Sequence, residues 1–467
     1  MIKLTEKNTL VYVILAALII ISIPLITRVL FHNNIMIGEE SYYHANIAKQ
    51  IIEQKSLIHD SNYIFNPYHL VLASIGYFIG VDLASKIVPF LLGMLFVLIF
   101  YLILKEFEIE IKERFFMSLI LIISPTFIYL STVSNSYSVP IFLILLGVYF
   151  LLKKNIIFKF FSLIAFALAT SFSLFNALLI MFIFIAYMIK KKSKKYMIPL
   201  LVIMLISAAF TPAYFQNKTD VLPKENILQN NISDLGALAG VGVFSILLAF
   251  AGFFLMWKKK KKYTFTILLF FIMLLSLFYV NYASFYMSFV LAVLAGYSFV
   301  AVISMKWEVK SIKNLTILLI ICGLTFSTIS YLDRISNMQP DKEIIKSLDW
   351  LKHYSEPDEI VFSHYSKGFW INAVAERPTV TDKMFEYYPS AKEKFNDSLE
   401  IFYSRNLENT KTLLNKYNIS YIWIDNEMKQ GLVWEKEQQG LLFLFRNNKT
   451  FNNIYNNKGI EIWQVYP

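Results

Sequence analysis

The chain holds a single cysteine, Cys322, in 467 residues, so no intrachain disulfide supports its fold. Glycine and proline are sparse, at 15 and 13, and no glycine-rich loop of the kind that cradles a nucleotide phosphate occurs. There is no Ser/His/Asp pattern and no zinc motif; His44, His59, His69, His353 and His364 show no metal-ligand spacing. The long apolar segments carry hardly any charge and no internal repeat is visible. Both absences disfavour a lipid-oligosaccharide flippase or transporter, which needs ionisable groups near the bilayer midplane.

What the chain does have is apolar surface. It is 57% hydrophobic with a mean hydropathy of +0.53, the composition of an integral membrane protein. The net charge of +11 divides unevenly: the first 332 residues carry 27 basic and 14 acidic residues, the remainder 17 and 19. The excess sits in short loops, at Lys153-Lys154, Lys190 to Lys195, Lys258 to Lys262, and Lys306 with Lys310 and Lys313. These are positive-inside anchors and not a nucleic-acid surface. About eleven spans are expected, at 9–30, 83–104, 115–131, 136–152, 156–171, 173–189, 196–213, 235–257, 263–280, 283–304 and 315–332. With the N-terminus cytoplasmic and uncleaved, every lysine cluster falls inside. The loops at 31–82, 131–136 and 214–234 and the C-terminal tail then fall outside. The apolar stretch from Asn66 to Gly80 is expected as a helix at the membrane surface.

The fold class expected is therefore a polytopic α-helical membrane protein, residues 1–332, followed by an extracytoplasmic α/β domain at 333–467. In that tail Ile344, Ile345, Leu348 and Leu351 share one helix face, and helices are expected at Ala391–Tyr403 and Leu407–Tyr417. Strands are expected at Glu359–Phe362, Ile419–Ile424 and Ile460–Val465.

The most informative local feature is Gly38-Glu39-Glu40-Ser41-Tyr42-Tyr43-His44, just beyond the first span, with a periodic interfacial helix beginning at Ala45. Two adjacent carboxylates at the headgroup plane can remove a proton from an acceptor or hold a divalent ion against a phosphate. An ordinary solvated acidic loop would look the same. Tyr43 and His44 are either substrate contacts or interfacial anchors. Arg28, Lys86 and Arg334 are external cations near the membrane, able to meet a lipid phosphate or only to snorkel; Lys86 opens a span directly after the surface helix. Glu225 lies on an external loop that could close over a substrate.

The order of membrane helix, acidic pair, Tyr-Tyr-His and interfacial helix resembles the first external loop of the GT-C glycosyltransferases, which take sugars from polyprenyl-phosphate carriers. Glu40-Ser41-Tyr42-Tyr43-His44 is similar to the Asp-x-x-Tyr-His signature of archaeal oligosaccharyltransferases, which would make Glu40 a metal ligand. In the register of the protein O-mannosyltransferase and aminoarabinose-transferase branch, Glu39 takes the catalytic carboxylate's place. Asn66-Pro67-Tyr68-His69 and Ser124-Pro125 extend the resemblance. The loop Ser131 to Ser138 departs from the oligosaccharyltransferases, because it holds no carboxylate to complete a metal site. His364-Tyr365-Ser366-Lys367-Gly368 stands where those enzymes carry their acceptor-reading Trp-Trp-Asp-Tyr-Gly motif.

The resemblance implies a hexosyltransferase that uses a polyprenyl- or dolichyl-phosphate-linked sugar and a protein, lipid or glycan acceptor at the external face of the cell membrane. Glu39 and Glu40 would be its catalytic pair. Tyr43, His44, Lys86 and Glu225 would contact substrate. No cofactor is expected, with divalent Mg or Mn the alternative if Glu40 is a metal ligand. The rival readings are an oligosaccharyltransferase catalytic subunit and, outside the enzymes, a flippase or a catalytically inactive scaffold.

Overall fold

The computed structural model describes residues 5–31, 35–54, 66–191, 221, 227–280, 283–387, 390–436 and 438–466. Among the described residues, thirteen helices of eight residues or more make up the membrane part and the loop after its first helix. They are α1 (Glu6–Phe31), α2 (Gly38–Gln54), α3 (Pro67–Ile79), α4 (Val81–Glu106), α5 (Ile111–Ile122), α6 (Pro125–Thr132), α7 (Ser138–Leu152), α8 (Ile156–Thr170), α9 (Leu174–Lys191), α10 (Val243–Trp257), α11 (Lys260–Ser276), α12 (Ala283–Ser304) and α13 (Lys310–Ser336). Among the described residues, five helices are long and apolar enough to cross a membrane, or six if α5 and α6 form one bent span. Large apolar side chains such as Leu15, Ile19, Phe254 and Leu318 are exposed along them, as a lipid-facing surface requires. The chain is thus a multi-pass membrane protein. The expected span at 196–213 lies outside the described residues.

Two expected spans take other forms. Residues 115–131 are broken: α5 and α6 meet at 65°. Pro125 cannot donate a backbone hydrogen bond, and the Ser124 hydroxyl instead accepts from the Phe127 N–H at 3.3 Å. The carbonyl of Ile123, freed by the break, accepts from the Thr328 hydroxyl of α13 at 2.8 Å. The expected span at 235–257 shortens to α10, because Asp234 ties residues before it into a loop. Its carboxylate accepts from the Val243 N–H at 2.6 Å and the Ser327 hydroxyl at 2.9 Å.

The loop after α1 is also more helical than its sequence implies. α2 begins at Gly38, not Ala45, so that Glu39 and Glu40 occupy its first turn. Unpaired backbone N–H groups there favour negative charge. Gly38 makes the entry possible, with a φ of +72 that a side chain would strain. α3 starts where Asn66 caps it, accepting from the Tyr68 N–H at 3.0 Å, with Pro67 in the first turn.

Past α13 the tail forms a four-stranded sheet in the order β1-β2-β4-β3, from β1 (Ile360–Phe362), β2 (Ile419–Ile424), β3 (Phe451–Asn457) and β4 (Ile460–Val465). β1 and β2 run parallel and the other pairs antiparallel. Alternation along β2 sends Tyr421 and Trp423 to one face and Ile422 and Ile424 to the other. The first face is covered by α14 (Lys342–Tyr354), whose Ile344, Leu348 and Leu351 meet Trp423. α15 (Ala391–Tyr403) and α16 (Leu407–Lys416) cover the second. The α14-side core continues through Trp370, Ile371 and Ala373 to Tyr42, Ala45 and Ala48 of α2 and Tyr68 and Leu72 of α3. One apolar core therefore joins the tail to α2 and α3.

Candidate active site

Three parts of the chain converge on the acidic pair. From the tail, the Lys383 ammonium is ion-paired with the Glu39 carboxylate. From the bundle, the Tyr129 hydroxyl donates to Glu40 at 3.0 Å; the bend at Pro125 aims α6, and with it Tyr129, towards α2. The third part is the loop after α6. Its Ser134 N–H donates to the Ser41 hydroxyl at 3.0 Å, and the Ser134 and Tyr68 hydroxyls are bonded at 2.7 Å. The loop without a carboxylate thus fixes the start of α2 through neutral hydrogen bonds.

The two glutamates differ in environment. Burial pushes the Glu40 carboxyl up to about 7, with the Tyr129 hydrogen bond pulling it down and the neighbouring Glu39 charge adding to the rise. Glu39 is met by a full positive charge instead. Burial draws Lys383 down, yet Glu39 and, beyond it, Glu40 more than offset that and hold the ammonium above its ordinary range.

Tyr43 packs its ring against Phe369 of the tail, with centroids 4.7 Å apart. His44 is turned away from the glutamates. It is buried, its Nδ1 lies 2.8 Å from Nε2 of His69, and its ring packs against Tyr68. Burial pushes His69 down to about 3 and holds His44 well below the usual imidazole range, so the pair is neutral. In this structure His44 joins α2 to α3.

Lys86 lines a cavity of about 370 Å³ together with Arg28, Ser41, Ser85, Thr132 and apolar side chains of α1 and α4. Ile37 and Ser41, which bracket the acidic pair, form part of its wall. Arg28 is buried, with its Nη atoms on the carbonyls of Met338 and Pro340. Among the described residues, Arg28 Nε and Ser85 Oγ have no hydrogen-bond partner. Arg334, the third cation singled out from the sequence, clamps the loop before α10, donating to Ser233 and to the Ala237 carbonyl at 2.9 Å. A larger, apolar cavity of about 460 Å³ opens at the far end of α4, near Glu108 and Lys190, and neither glutamate lines it. Glu225 lies outside the described residues.

Both carboxylates of the pair are already partnered in this structure. One carboxylate holds an ammonium and the other a phenol, and among the described residues no group of three His, Cys, Asp or Glu stands together. Of the residues that complete the site, Tyr129 stood in a recognised segment without a role, and Lys383 carried no local signal at all. Its contact with Glu39 spans 344 positions, and only the tertiary fold reveals it.

Comparison with known proteins bears on the fold. Residues 181–277 match the family described as TrbC/VIRB2 pilin. That segment is a minority of the chain and excludes the acidic pair and the tail. No curated protein matches. Among solved structures, the apo oligosaccharyltransferase of Archaeoglobus fulgidus is similar with a TM-score of 0.63 at 15% identity, over 91% of this chain and 70% of that one. AglB of the same organism, in complex with an inhibitory peptide and a dolichol-phosphate, gives 0.57 at 14% identity, over 99% and 74%. Apo ArnT of Cupriavidus metallidurans gives 0.58 at 10% identity and covers 98% of both chains. Agreement over nearly the whole length at such low identity is agreement of fold, and this chain has the GT-C glycosyltransferase fold.

Proposed function

We propose that the chain transfers a sugar from a polyprenyl-phosphate-linked donor to an acceptor at the external face of the membrane. The observation that carries this reading is the acidic pair on the first turn of α2, beside a cavity lined by Arg28 and Lys86. Glu39 takes the proton from the acceptor's hydroxyl or amide. The acceptor oxygen or nitrogen then bonds to the sugar's anomeric carbon as the bond to the carrier phosphate breaks. The departing polyprenyl phosphate keeps the electron pair, and its charge is met by Lys86 and the unpartnered Nε of Arg28, with Ser85 Oγ as a further hydrogen-bond partner. Tyr43, ringed with Phe369 at the rim, contacts the substrate.

The dolichol-phosphate in the AglB complex supports a lipid-phosphate donor, and the full-length match to ArnT, an aminoarabinose transferase, supports single-sugar transfer. The donor set around Glu40 favours neither Mg nor Mn, so no step passes through a metal. The lysine clusters support a cytoplasmic N-terminus and an external tail.

Mass spectrometry of surface glycans from a deletion strain tests the proposal, with loss of one sugar expected. Unchanged glycans, together with no binding of undecaprenyl or dolichyl phosphate by the purified protein, would overturn it. A reporter fused after Lys262 should be cytoplasmic and one at Pro467 external.

A further inference from the structure

Among the described residues, the ion pair between Lys383 and Glu39 is the one place where a charged tail residue enters the acidic pair, and the segment that carries it is braced. Asp382, the preceding residue, accepts from the Met384 N–H at 2.7 Å and from the Asn372 amide at 3.4 Å. Gly368 packs so closely on this segment that an added Cβ would meet Asp382 at 2.6 Å. Gly368 in turn opens the helical turns, residues 368–375, whose Trp370, Ile371 and Ala373 join the core of α2. Lys383 is therefore held over Glu39 by a rigid chain of contacts and does not sample the site from a free loop.

Charge gives this placement a purpose. Two glutamates in one helical turn repel any phosphate, and a polyprenyl-phosphate sugar cannot reach them without compensation. Arg28 is committed through both Nη atoms to backbone carbonyls. Lys86 lines the cavity beside the pair. That leaves Lys383 as the cation on the carboxylates. Besides the glutamates, the ionisable groups that act on it or feel it are Tyr365 and His364, and burial pushes His364 down to about 4, so it adds no second charge.

We infer that Lys383 is a positioning residue of the transfer site: it fixes the direction of the Glu39 carboxylate and supplies the positive charge that admits an anionic lipid-phosphate donor to a pair of glutamates. The tail is then a working wall of the site, and the bundle alone is incomplete. This inference rests on the donor class proposed above.

The test is binding of undecaprenyl phosphate and dolichyl phosphate by the purified full-length protein in detergent, for wild type, Lys383→Met, Lys383→Arg and the double variant Glu39→Gln/Lys383→Met. Loss of one site charge should weaken carrier binding by about tenfold or more. Arginine should keep binding within about threefold, because it keeps the charge. Removing Glu39 as well should restore most of the loss, a coupling that a simple strap would not show. The melting temperature of each variant is read alongside.

Wild-type binding with an unaffected Lys383→Met overturns this inference and leaves the donor class standing. Equal loss in the Met and Arg variants, with lowered melting temperature and no recovery in the double variant, also overturns it, since Lys383 would then only hold the tail in place. Absence of carrier binding by the wild type overturns the donor class and this inference together.

Discussion

In the bundle, Leu15 and Ile19 of α1 face outward and stay exposed, while in the tail Trp423, Ile422 and Phe362 are buried on the two faces of one sheet. The two regions use apolar residues differently because their surroundings differ. Lipid is as good a partner for leucine as protein is, so a membrane helix has no need of a polar face. The tail lies among water and must segregate its faces to fold. Packing in the bundle is set instead by close polar contacts, such as Thr328 on Ile123 and Tyr129 on Glu40. The acidic pair stands where the regimes meet, Glu39 held by the tail and Glu40 by the bundle.

The sharpest way to break that division is to neutralise each glutamate. Glu39→Gln should lower sugar transfer by about 10²–10⁴-fold, the range for a lost acid–base group. Glu40→Gln should cost less than about tenfold, because at pH 7 that carboxyl, raised to about 7, is already about half neutral. Kinetics with a matched lipid-linked donor check both, and the reverse order of losses would move the base to Glu40.

The tail and bundle should differ as sharply in stability. Trp423→Ala removes a fully buried ring with its indole N–H on Ser347 at 3.0 Å, at a cost of about 3–5 kcal/mol. Leu15→Ala, on an exposed position of α1, should change stability by no more than about 0.5 kcal/mol in detergent. Thermal melting of the two variants compares them directly, and similar losses would mean that α1 packs against protein and not lipid.

This contrast also decides what the sequence could tell. In the tail, the helix at Ala391–Tyr403 and the strands at Ile419–Ile424 and Ile460–Val465 end where their periodicity predicts. The exception is β3, missed because Asn452, Asn453, Asn456 and Asn457 disguise an edge strand that needs only one partner. Its signal was the turn to β4, where Lys458 and Gly459 both adopt positive φ. In the bundle the helices were legible from hydropathy, but not the break at Ser124-Pro125 that sends Tyr129 to Glu40. In the site, the acidic pair stood out by charge against an apolar background. Its partners did not, since a single lysine or tyrosine among many has no pattern to mark it.

A smaller effect follows from the burial of Glu40. Its carboxyl gains a proton more readily folded, at about 7, than unfolded, near 4.5. Its contribution to stability is therefore complete below about 4.5 and lost as pH rises through about 7. Melting scans should show wild type losing stability across that window relative to Glu40→Gln, by up to about 3 kcal/mol. Parallel curves would mean that the glutamate is solvated and the Tyr129 contact weak.

Smallest is the neutral contact between loop and helix. Ser134→Ala removes the hydroxyl bonded to Tyr68 and should cost about 1 kcal/mol, while Ser134 N–H still reaches Ser41. Transfer should persist with little change, and a large loss would assign that loop a direct part in the chemistry.

The 344 positions between Glu39 and Lys383 are also an interval of time. A ribosome takes about 20–70 s to cover that length. For that interval the glutamates have left the ribosome while their counter-ion has yet to be made. With the role inferred for Lys383, a chain halted anywhere before the tail presents a carboxylate pair that repels carrier phosphate. On that role the chain would admit carrier phosphate only once its tail docks, so that chains halted before the tail in the membrane would neither consume donor nor sequester it.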